Sequence, residues 1–123
     1  MISFQVYFLP TSMYLFCFYR MMLKAELSFF EENEISSIEI LNNNCFFWDE
    51  YAICGTRGWF YEENRGDHHD EKVFKRELMR LESSLKSAAD LPKIVFLHYP
   101  PLYRGYECAD ILELLKSYEV RQC

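Results

Sequence analysis

The stretch KIVFLHYPP, residues Lys93 to Pro101, decides how the rest of the chain is read. Ile94 to Leu97 form a nearly continuous apolar run, the pattern of a strand buried on both faces of a parallel sheet. Two prolines, Pro100 and Pro101, then block further ladder pairing or a helix start. Between strand and prolines stands His98, at the carboxyl end where open α/β sheets take their ligands.

Upstream, Phe74, Leu78, Leu81 and Leu85 share one face at helical spacing. Asp70 suits the N-cap with Glu71 in the first turn, and the pairs Glu71–Lys75 and Glu82–Lys86 lie on the wet side. The pattern predicts a helix of about 19 residues and roughly 28 Å, running out at Ala88, Ala89 and Asp90 before Pro92. Downstream, Cys108–Tyr118 reads as a second amphipathic helix and Glu119–Cys123 as the opening of another strand. Strand, helix, strand, helix, strand is an α/β crossover order with right-handed connections.

Before the long helix the chain reads as strands. Ser36–Leu41 alternates and ends in the turn cluster Asn42, Asn43, Asn44. Cys45–Trp48 and Tyr51–Cys54 read as hairpin strands joined by Asp49 and Glu50, which sets Cys45 opposite Cys54. That pairing leaves two readings, a disulfide or two buried thiols in a reducing cytoplasm. Five cysteines show no C-x-x-C and no metal-finger spacing. Tyr61–Asp70 reads as a polar loop, so His68 and His69 are solvated loop residues rather than ligands.

The 123 residues are 50% hydrophobic and 18% aromatic, which excludes intrinsic disorder. Nineteen acidic against thirteen basic residues give a net charge of −6, so no nucleic-acid surface is expected. Residues 1–23 carry one charge, Arg20, and are crowded with Phe, Tyr, Leu and Met. They are about as long as a membrane span, yet Gln5, Pro10, Thr11 and Ser12 interrupt them, and no secretory signal pattern is present. Spacing alone makes a single histidine after a strand a structural residue. No glycine-rich phosphate loop or Ser-His-Asp arrangement occurs.

Residues from about Phe29 to Cys123 resemble the later part of a bacterial calcineurin-like metallophosphoesterase. The segments that carry the resemblance are YAICGTRGW (Tyr51–Trp59), DEKVFKRELMRLESSLKSA (Asp70–Ala88), KIVFLHYPP and LLKSYEVRQC (Leu114–Cys123). The resemblance implies an α/β/β/α sandwich around two divalent metal ions, commonly manganese, iron or zinc, and a phosphatase-type hydrolase acting on a phosphoester substrate. In such a centre the two cations lower the pKa of a bound water and neutralise charge on the phosphoryl oxygens. By this resemblance His98 is a metal ligand, which reverses the reading from spacing. His68 and His69 receive no role from it.

The family's Asp-x-His, Gly-Asp, Gly-Asn-His-Asp and Gly-His-x-His motifs are not matched at the corresponding places. The expected architecture is therefore a partial sandwich with a mixed sheet and at least two helices, incomplete at both ends. Residues 1–24 form an atypical segment, read as out-of-frame translation of an interrupted gene or as a membrane-like stretch. Residues 25–123 form the partial phosphoesterase domain. The leading expectation is an inactive, cytoplasmic fragment of a metal-dependent phosphoester hydrolase, self-associating through an exposed sheet. The alternative is a membrane-tethered or scaffold-only interaction protein without catalysis.

Overall fold

A computed structural model describes residues 6–8, 14–16, 27–36, 38–62 and 67–123. Among them the chain is mixed α/β. Strands β1 (Val6–Phe8) and β2 (Tyr14–Phe16) precede helix α1 (residues 27–32) and strand β3 (Ile38–Ile40). Next come β4 (Cys45–Trp48), β5 (Tyr51–Thr56), the long helix α2 (His68–Ser87) and β6 (Lys93–Leu97). A short hairpin, β7 (Leu102–Tyr103) and β8 (Tyr106–Glu107), leads into α3 (Ala109–Ser117).

Strands β1, β2 and β3 make one sheet, antiparallel between β1 and β2 and parallel between β2 and β3. Strands from residues 6–8 and 14–16 thus pair with the chain beyond residue 24, while the other residues of the 1–24 segment lie outside the described ones. No described helix is long and apolar enough to cross a membrane. Helix α1 corrects the expectation of strands alone before the long helix. Ser28 Oγ donates to Glu32 Oε1 at 3.1 Å, the one-turn spacing that the Glu-rich segment makes available.

The second sheet positions the site. Its order is β4-β5-β6, with β4 antiparallel and β6 parallel to β5. The hairpin has the expected register, Cys45 opposite Cys54 and Trp48 opposite Tyr51, and both cysteines are free thiols. Asp49 takes a φ of 54° at the turn, a left-handed conformation that Asp tolerates. Strand β5 runs two residues further than expected, through Gly55 and Thr56. A Cβ on Gly55 would lie 2.0 Å from the Phe96 carbonyl oxygen, so only glycine lets β5 approach β6 there. On the far edge of β6, Val95 N–H donates to Gln122 O at 2.8 Å and Arg121 N–H to Lys93 O at 3.0 Å. Where Glu119–Cys123 was expected to open another strand, the structure has a single parallel bridge between Ile94 and Gln122.

Side-chain alternation divides this sheet into two unequal faces. Ala52, Cys54, Val95 and Leu97 pack against Phe74, Leu81 and Leu85 of α2 and Ile111 and Leu115 of α3. The opposite face gathers Phe46, Trp48, Ile94 and Phe96 around buried Leu41 and Ile53. Ile94 and Phe96 are only half-buried, which corrects the expectation that β6 is buried equally on both faces. The helices cover one face over β5 and β6 but leave Phe47 of β4 exposed there, and the described residues cover the other face in part.

Helix α2 starts earlier than expected. Asp67, not Asp70, is the N-cap: its Oδ1 accepts from Asp70 N–H at 2.8 Å. His68 and His69 therefore lie in the first turn of α2, exposed, rather than in a polar loop. The helix ends at Ser87 with Ala88 as its C-cap, where the sequence indicates it runs out. Lys93, although buried, closes that end by donating from Nζ to Ala89 O at 2.8 Å and Leu91 O at 3.1 Å.

Candidate functional site

The carboxyl ends of β5 and β6 lie side by side, with Thr56 opposite Leu97, and the residues that follow them meet. Tyr99 N–H donates to Arg57 O at 2.9 Å, which ties the Gly-Thr-Arg-Gly-Trp loop to the His-Tyr-Pro-Pro loop. Gly58, at φ 71°, makes this approach possible: a Cβ there would sit 3.1 Å from Tyr99 O. The two segments singled out in the sequence are thus brought together at one sheet end.

His98 is half-buried and its ring stands edge-on to Tyr99, centroids 4.7 Å apart. Its Nδ1 is buried and has no hydrogen-bond partner among the described residues. Tyr99 also packs edge-on against Trp59 at 5.3 Å and Phe60 at 5.1 Å. The Arg57 guanidinium lies 4.7 Å from the Trp59 ring centroid, and Trp59 Nε1 donates to Asp70 Oδ1 at 3.2 Å.

Behind this loop lies a polar cluster that sequence reading missed. Glu77 of α2 is 1% exposed and accepts from Thr56 Oγ1 at 3.0 Å, Arg57 Nη2 at 3.2 Å and Arg80 Nη1 at 2.5 Å. Both guanidiniums are largely buried. The signal was present: Glu77 falls three residues after Phe74 and four before Leu81, on the apolar face, where a charge needs partners.

A second feature is the aromatic cleft beside Phe60. Its volume is about 470 Å³, and Tyr103, Arg104 and Tyr106 of the β7–β8 hairpin line it together with Phe60, Glu62 and Asp70. The expectation of no ladder pairing after the prolines is corrected by this hairpin. Arg104 and Gly105 both take positive φ, 42° and 86°, as a tight hairpin turn requires. Burial holds the Tyr106 phenol above its usual range, against the lowering effect of its hydrogen bond to the Tyr61 backbone.

The thiols lie away from the sheet end. Burial pushes Cys54 up to about 11, helped by Cys45 opposite, while Ser84 and Lys93 act the other way. Burial also raises Cys45. Ser84 accepts from Gly55 N–H at 2.9 Å and donates to Asn44 O, joining α2 to β5 and to the residue just before β4.

No three His, Cys, Asp or Glu side chains come together in a metal-holding group among the described residues. Among the described residues, the donors around His98 do not make a two-metal centre. His68 Nδ1 lies 3.5 Å from Glu71 Oε2 on the exposed first turn of α2, well separated in sequence and element from His98. Comparison with protein-family models, curated proteins and solved structures finds no match to this chain.

Proposed function

We propose that the chain is a partial calcineurin-like metallophosphoesterase domain, of α/β/β/α sandwich type, in which His98 serves as one metal ligand. The observation that supports this best is the His98 imidazole, at the carboxyl end of a parallel strand with Nδ1 buried and unpartnered among the described residues. Leaving a buried polar atom unsatisfied costs about 1–3 kcal/mol, and coordination would remove that cost. The joined Gly-Thr-Arg-Gly-Trp and His-Tyr-Pro-Pro loops support the same reading, because they hold the imidazole at the sheet end.

One imidazole does not make a hydrolytic centre. A catalytic zinc takes three protein ligands, and a dinuclear centre needs more. The 123-residue chain is therefore expected to bind a divalent cation weakly and to hydrolyse no phosphoester. The test is p-nitrophenyl phosphate turnover with Mn(II), Zn(II) or Fe(II), in the wild type and His98→Ala. Both proteins should match the buffer blank. Metal-dependent turnover that His98→Ala abolishes would overturn the reading of an incomplete centre.

A further inference from the structure

Helices α2 and α3 cover the same sheet face and leave a groove of about 430 Å³ between them. Its floor is apolar. Leu78 and Leu114 are half-buried there, whereas Met79 stands 70% exposed. An unbranched thioether at the edge of a groove is an adaptable surface that repacks around a partner's side chains. Glu82 lies one turn beyond Leu78 on α2, and Asp110 one turn before Leu114 on α3, so each helix sets a carboxylate beside an apolar side chain.

The rim carries one sign of charge. Glu82, Asp110 and Glu113 line the groove, and no Lys or Arg does. Glu82 is engaged by Lys86 Nζ at 2.9 Å, but Asp110 and Glu113 pair with no cation among the described residues. Lys116, one turn beyond Glu113, lines a different cavity at the amino end of β6. These charges select the occupant. A second copy of this chain, at net −6, would bring like charge to the groove. A phosphate-bearing surface would be repelled in the same way. A helix with an apolar face flanked by Lys or Arg gains from both parts, because its apolar side chains fill the floor while its cations meet Asp110 and Glu113.

We propose that the groove between α2 and α3 docks a basic amphipathic helix of a partner protein, with Leu78, Met79 and Leu114 as its apolar floor and Asp110 and Glu113 as counter-charge. The surface is independent of any metal at His98. The test is calorimetric titration of the full chain with a peptide of about 18 residues, Leu and Lys at amphipathic helical spacing. A scrambled peptide of the same composition and a Leu–Glu peptide of the same spacing are the controls. The ordered Leu–Lys peptide should bind at least about tenfold tighter than the scrambled one, and the Leu–Glu peptide should not bind. Glu113→Lys should weaken the Leu–Lys peptide about tenfold and Met79→Gln about fivefold, both at exposed helix positions that folding tolerates. Glu50→Lys, the same charge change on the β4–β5 turn, should alter its affinity less than about twofold. No binding of the Leu–Lys peptide, equal affinity for the scrambled peptide, or equal weakening by Glu50→Lys and Glu113→Lys would each overturn the proposal. So would a dimer of the chain in sedimentation that Met79→Gln dissociates, since a second copy would then occupy the groove.

Discussion

Glu77→Ala removes a carboxylate that three donors share. The side chain is 1% exposed, and Thr56, Arg57 and Arg80 all donate to it at 2.5–3.2 Å. Hydrogen bonds to a charged group contribute about 1.5–3 kcal/mol each, but the three are coupled and do not add. Arg57 and Arg80 have side chains 10% and 16% exposed, so truncation leaves two guanidiniums largely cut off from water. Breaking a buried ion pair from one side costs about 3–5 kcal/mol, and the expected loss is about 4 kcal/mol. Glu77→Gln keeps the shape and an acceptor for Thr56 while losing the charge, and should cost about 2 kcal/mol. Urea unfolding followed by circular dichroism measures both. With a slope of about 2 kcal/mol/M, the midpoints should fall by about 2 M and 1 M. An alanine variant whose midpoint stays within about 0.5 M of wild type would refute the view that this cluster anchors α2 to β5.

Two further outcomes follow from particular contacts. Asp67→Ala should lower stability by about 1 kcal/mol by removing the α2 cap, whereas Asp70→Ala should leave the cap intact, since only the Asp70 backbone N–H takes part in it; equal losses of helicity would contradict this assignment. Cys54 should make the protein sensitive to alkali. Its folded value of about 11 exceeds the ordinary 9.0, so between those values the unfolded chain releases a proton that the folded chain keeps. Stability is therefore complete below pH 9.0 and falls as pH rises toward about 11. Thermal melts across that range should show the decline, Cys54→Ala should blunt it, and a profile unchanged by the substitution would contradict the cause.

Local periodicity made much of the fold legible. The four apolar positions of α2 and the run of β6 state their elements directly, because one face of each must leave water. The hairpin register was expected only on the condition that Asp49 and Glu50 form the connection, a poor two-residue turn pair, and the structure has that register. What escaped was decided by tertiary partners. Asp67 and Asp70 are chemically equivalent caps, and the position of Trp59, whose Nε1 engages Asp70, separates their roles. The β7–β8 hairpin follows two prolines and has two-residue strands, too short for any alternation to register, although Arg104-Gly105 carries the turn signal. Glu77 resembled an ordinary helix-surface charge until its place on the apolar face was joined to Arg57, 20 residues away. At the candidate site, position after the strand made His98 a structural residue and the family resemblance alone made it a ligand, whereas the lack of a hydrogen-bond partner for its Nδ1 among the described residues depends on every neighbour that packs around it.

The proposed metal-ligand role of His98 is directly measurable, because the chain has three histidines. A Zn(II) titration of the full chain, followed by imidazole resonances in two-dimensional NMR with His98→Ala for assignment, separates His98 from the exposed His68 and His69. If His98 is a ligand, its signals shift at zinc concentrations that leave the other two unmoved. Signals from His98 that stay fixed while His68 and His69 respond, or that stay fixed throughout, would contradict it.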